Sequence, residues 1–283
     1  MHFIRKLLHS LVYSNIFIAA CAVLMTEQTA ALWLPAGANQ STLLLPFVFS
    51  STLCTYSFHY FFTSPSPQHT QRNNWSRKNR PWLGGLFVLS LAAAIYFFIP
   101  LLGYWKLFLP AALATLLYTA PQLPHPIFYR MRKYAYGKTI MLALIWTYVT
   151  AILPLLMAGD HISTDSRYYI AGRYFFIYCI CILFDYRDRE ADRRSGVKSL
   201  ITYFSETGIH RLFVFSWLAQ GFFTVLAAGP VQSRLDTILL LIPALILLLL
   251  YRPAKNKPSD LLYLVYLDGL MALSAVLMLF ARI

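Results

Sequence analysis

Long apolar runs return again and again along the chain, each closed by a short polar segment, and they constrain its fold more than any other feature. They lie at about 7–34, 41–63, 82–100, 105–120, 138–158, 166–184, 210–229, 235–251 and 260–281. A run of roughly 20 apolar residues, coiled as a helix, matches the hydrocarbon thickness of a bilayer. In lipid no water satisfies backbone N–H and C=O groups, so a spanning segment of this length must bond its own backbone, as a helix does. The chain is therefore read as an all-α, polytopic membrane helix bundle of about nine transmembrane helices, a single domain over residues 1–283. Composition agrees, because 58% hydrophobic and only 12% charged residues leave too little polar surface for a domain in water.

The placement of charge adds a direction. With the runs laid alternately across a membrane, nineteen of the 24 lysines and arginines fall on one side and five on the other. Basic residues concentrate in cytoplasmic loops, so the N-terminus and the segment after the sixth run are expected in the cytoplasm, in a multi-pass protein of the cell membrane. The net charge of +13 is then mainly topological, and nucleic acid is not an expected partner. The short basic start, Met1 to Lys6, precedes an apolar run too long for a cleaved signal, so a retained first span is expected. Cys21, Cys54, Cys179 and Cys181 all lie in apolar runs and read as small packing residues, not as disulfides or a metal site.

Chemistry is concentrated in one stretch, Phe184 to Leu200, which holds four of the eleven acidic residues. At about 100° per residue, Asp185, Asp188 and Asp192 share one narrow face of a helix. Three carboxylates there repel one another unless a cation lies between them. Mg²⁺ is a natural candidate, since it takes carboxylate oxygens and shares them with phosphates. Arg189 borders that face on the same wheel, within reach of a phosphate. A salt-bridged helix end is the competing reading, because Arg187, Arg189, Arg193 and Arg194 are interleaved with the acids. Asp268, about eight residues into the last run, is a costly group at that depth. It is expected to be protonated, bonded to a neighbouring helix, or lining a cavity.

Asp185-x-x-Asp188-x-Glu190-x-Asp192, followed by Gly196-x-Lys198-Ser199-Leu200, resembles the second Asp-rich motif of the UbiA superfamily of intramembrane prenyltransferases. Asn79-Arg80-Pro81 with Gly84 is similar to the stretch that follows the first Asp-rich motif there. Tyr118-Thr119-Ala120-Pro121 and the basic cluster Arg130 to Lys133 resemble the loop between that family's fourth and fifth spans. The resemblance implies Mg²⁺ held by Asp185, Asp188 and Asp192. It implies a prenyl diphosphate neutralised by Lys198, Arg130 and Arg132, and electrostatic stabilisation of the leaving group. Tyr118 and Arg80 are carried over as substrate-binding residues. The first Asp-rich motif itself is missing. Its expected place, Thr55 to Thr63, holds no acid, and none occurs anywhere between Glu27 and Asp160. His59, as a cation for a diphosphate or as an imidazole ligand for a different metal, and Asn73, as a neutral oxygen donor, are the candidates left there for substrate binding.

The expected function is transfer of a prenyl group from a prenyl diphosphate to a lipophilic aromatic or quinone-type acceptor. Two alternatives stand beside it. One is a non-catalytic relative that binds an isoprenoid or a partner. The other is a transporter, against which the chain shows no halved repeat with interrupted helices.

Overall fold

The computed structural model describes residues 9–35, 40–62, 71–119, 137–159, 162–194, 199–228 and 233–282. Among them every regular element is helical. The longer helices are α1 (Ile16–Trp33), α2 (Gln40–Phe62), α4 (Arg80–Phe98), α5 (Trp105–Thr119), α6 (Lys138–Thr147), α8 (Thr164–Arg194), α10 (Glu206–Leu226), α11 (Arg234–Asn256) and α12 (Asp268–Ala281). Short pieces connect them: α3 (Gln71–Lys78), α7 (Leu153–Met157) and α9 (Leu200–Tyr203). Among the described residues seven segments are long and apolar enough to cross a membrane. That count differs from the expected nine at two places. The 3₁₀ turn Ile99–Tyr104 carries α4 into α5, so Arg80–Thr119 forms one continuous helical stretch. The other is α2, which is not among the seven, and its sequence is diluted by Ser50, Ser51, Thr52, Thr55, Ser57 and His59.

Helix boundaries follow local chemistry. Ser199 and Ser233 each accept the N–H of the residue three positions on, Thr202 and Asp236, whose side chains return the bond as capping boxes. Ser205 caps α10 through the N–H of Gly208, and Pro81 opens α4 where its missing N–H costs nothing. α7 ends at Gly159, whose φ of 72° is open to glycine without strain.

α1 lies at the centre, packed on α2, α7 and α12, and α2 carries α4 on its other side. α8 packs against α6, α10 and α11. The α8–α10 crossing is close because Gly172 has no side chain: a Cβ there meets Thr224 Oγ1 at 2.9 Å and Thr224 N at 3.3 Å. Large apolar side chains such as Val88, Leu89, Tyr96, Leu116 and Leu249 point outward instead of inward. In water that belt is untenable, and in lipid it is the expected surface of a membrane-embedded bundle.

A polar node ties the helices together. Arg173 of α8, 7% exposed, donates to Met25 O at 2.7 Å, to Gln28 Oε1 at 2.6 Å and to the Tyr169 hydroxyl. The Thr29 hydroxyl donates to Thr150 O at 2.6 Å. Thr150 belongs to the π turn Tyr148–Ile152, where the wider ladder frees a carbonyl for a neighbouring helix. The four cysteines are free and three are buried, as their apolar setting predicts.

Candidate functional site

Alternating helix directions bring one end of each long helix to a common face. It gathers Asn15, the C-terminal turns of α2, α5, α8 and α11, and the first turns of α6, α10 and the last helix. Asp185, Asp188 and Asp192 all lie here, on a helix that runs uninterrupted to Arg194.

Asp185 is 6% exposed and accepts a short hydrogen bond from the Thr139 hydroxyl. The Lys138 ammonium lies 3.6 Å from Asp185 Oδ1 and 3.7 Å from Asp192 Oδ2, so one lysine bridges two of the three carboxylates. Asp188 turns toward Arg187, which donates from Nε at 2.9 Å and from Nη2 at 3.2 Å. That guanidinium rests over the rings of Phe184 and Tyr263, 5.1 and 4.6 Å from their centroids. Tyr263 is fully buried and donates to Ala254 O at 3.0 Å and Leu183 O at 3.2 Å, which fixes the platform.

A polar niche at the same end centres on Arg72. Arg72 of α3, 8% exposed, lies 3.9 Å over the Tyr60 ring, donates from Nη2 to Asn15 Oδ1, and its backbone N–H donates to Asp260 Oδ2 at 2.8 Å. Asn15 adopts φ 67°, a left-handed conformation that few non-glycine residues occupy, and this turn interrupts the helix just before α1. Among the buried polar atoms at this end without a hydrogen-bond partner among the described residues are Asn15 Nδ2, Arg72 Nε, Ser57 Oγ and Ser76 Oγ. Asp268, half-buried, lies within electrostatic range of Arg72 and Arg187.

The other expected residues sort by reach. His59 lies within electrostatic range of Lys138 and Arg72, and Tyr118 within that of Lys138, Asp185 and Tyr60, so both join the cluster. Asn73 is half-buried on α3, beside Arg72. Arg189 does not face the acids. It bonds Glu206 Oε1 at 2.5 Å and Phe204 O at 2.8 Å, and Lys255 joins the same Glu206 at 2.9 Å. Arg80 is exposed, donating to Phe61 O at 3.2 Å. Lys198, Arg130 and Arg132 lie outside the described residues. Lys138, Thr139 and Arg72 were not expected as site residues. Each looks in sequence like an ordinary helix-end or loop residue, and only the pairing across helices sets it apart.

The donor chemistry suits Mg²⁺, but the arrangement does not. Lys138 holds the space between Asp185 and Asp192, and Asp188 is turned to Arg187. Among the described residues no three acidic, histidine or cysteine side chains close on one point. These residues, as placed, do not fit the ion, and the charge on the acid face is met by side chains instead. Comparison with protein-family models, with curated proteins and with solved structures finds no match for this chain.

Proposed function

We propose that the chain is a UbiA-like membrane protein that binds an isoprenoid phosphate at the charged end of its bundle, held by side-chain cations. The supporting observation is the niche around Arg72. A buried guanidinium N–H and a buried carboxamide N–H₂ stand there without acceptors, and each unmet donor costs on the order of 1–3 kcal/mol. Phosphate oxygens are acceptors, carry the complementary charge, and take guanidinium bonds well. Lys138 and His59 border the same niche. The carboxylates then act as counter-ions that hold Lys138 and Arg187 in place. The excess of basic residues on this side supports a cytoplasmic placement of the charged end.

The test is binding of a polyprenyl diphosphate to detergent-purified protein, with Mg²⁺ and with EDTA. The expected result is binding that EDTA leaves intact and that Arg72→Met weakens at least about tenfold, the worth of one charge-assisted bond. No binding at any chain length overturns the reading.

A second reading is prenyl transfer to an aromatic or quinone-type acceptor with Mg²⁺. It is favoured by the retention of three carboxylates on one helix face. Binding that requires Mg²⁺ and disappears in Asp185→Ala selects it, and a transport activity in proteoliposomes displaces both.

A further inference from the structure

A second feature lies in the half of the bundle away from the charged end. A cavity of about 760 Å³ opens on the side of the bundle between α1, α2 and α4. That volume falls in the range of small-molecule sites. Its wall is apolar, including Phe49, Leu53 and Phe97, and Pro46 interrupts the α2 ladder there. Ser50 and Ser90 also line it, but each hydroxyl donates to its own helix, to Pro46 O at 2.8 Å and Leu86 O at 2.6 Å. Among the described residues Glu27 is the one ionisable group in the wall.

Glu27 is difficult to explain as a surface residue. It lies about 9 Å along α1 from Trp33 and about 18 Å from Asn15, from the 1.5 Å rise per residue. Helix Cα–Cβ bonds lean toward the N-terminus, so this side chain is aimed at the middle of the bundle, away from the nearer end. The buried cation Arg173 does not serve it, being bonded to the neighbouring Gln28. Among the described residues no ion pair or hydrogen bond engages its carboxylate. An acid at membrane depth is costly and normally faces a cavity or a partner.

We infer that this groove binds a lipophilic molecule from the bilayer whose hydroxyl head donates a hydrogen bond to Glu27, its apolar body lying against Phe49, Leu53 and Phe97. A hydroxyl donates to carboxyl oxygen, so such a head meets the acceptor that no described residue engages. An ammonium head must itself be stripped of water at that depth, which disfavours it. The groove is separate from the phosphate niche and does not depend on it.

The test is scintillation-proximity binding of tritiated para-nonylphenol to purified protein, with its methyl ether as competitor. Saturable binding is expected, with the ether at least about tenfold weaker because it cannot donate. Glu27→Ala lowers affinity by a similar factor, Glu27→Gln keeps most of it through its carbonyl, and Arg72→Met has no effect. Leu53→Trp, which fills the groove, removes binding and guards against misreading an unfolded Glu27 variant. Equal competition by phenol and ether, or full binding in Glu27→Ala, makes the groove a lipid-filled seam and overturns the inference. Preferential displacement by nonylamine overturns it too, as a cation site.

Discussion

Lys138→Met is the sharpest perturbation of the charged end, because a single ammonium serves two carboxylates. At 3.6 and 3.7 Å, each attraction is worth about 4.5 kcal/mol at an effective dielectric of ~20. The side chains of Lys138, Asp185 and Asp192 are only 22%, 9% and 15% exposed, so taking three charges out of water offsets much of that gain. What remains decisive is the asymmetry of removal. Deleting one partner leaves like charges buried together, and such deletions cost about 3–5 kcal/mol. For a chain of this size that corresponds to a melting shift on the order of 10 °C. Methionine keeps most of the apolar stem, so lost packing contributes little.

With Lys138 gone, Asp185 and Asp192 present an unneutralised oxygen pair, and a divalent cation becomes the natural replacement. Thermal unfolding in detergent, followed by circular dichroism, should show the variant melting early in EDTA and recovering in millimolar Mg²⁺ or Mn²⁺. The wild-type protein should show no such response. A variant that melts with the wild type in EDTA refutes the bridging role of Lys138. A wild type that is itself stabilised by Mg²⁺ refutes the view that the lysine already fills the acid face.

Gly172→Ala should destabilise the bundle by about 1–3 kcal/mol through overpacking against α10, and adding Thr224→Ala should recover part of it by removing the 2.9 Å contact; melting curves of the three variants decide. Asn15→Ala should cost about 1–2 kcal/mol more than Asn15→Gly, because both lose the bond to Arg72 but only alanine pays for the left-handed backbone; equal melting of the two refutes the strain. Glu206→Gln should change stability by about 1 kcal/mol or less, since its carboxylate is 56% exposed despite bonding Arg189 and Lys255; a larger shift in the same assay gives that cluster a role it lacks here.

How much was legible follows from which interactions are local. The all-helical architecture could be read from sequence because lipid leaves the backbone few other choices, and Asp185, Asp188 and Asp192 share a helix face because that depends only on spacing. The span count was less secure. Nothing in Ile99-Pro100-Leu101-Leu102-Gly103-Tyr104 announces that the chain stays helical as a 3₁₀ turn. Arg189 shows the limit of a helical wheel. Its angle places it beside the acids, yet its guanidinium follows Glu206, brought near by the turn through α9. Lys138 was legible only as one more basic residue, since its partner Asp185 is 47 positions away.

The acid-free α2 and the presence of Lys138 are best understood together. A site that assembles metal from two helices needs carboxylates on both, to satisfy the charge and the coordination shell of each ion. Here α2 offers His59 and Tyr60 at that end, and α3 adds Arg72 above the Tyr60 ring. With one wall aromatic and cationic, a divalent ion between the walls has acidic ligands from α8 alone. A lysine reaching from α6 needs only the acids of α8. Side-chain cations on α6 and α8 meet the charge of the α8 acids as placed. An acid-rich helix and an acid-free neighbour can therefore share one charged end.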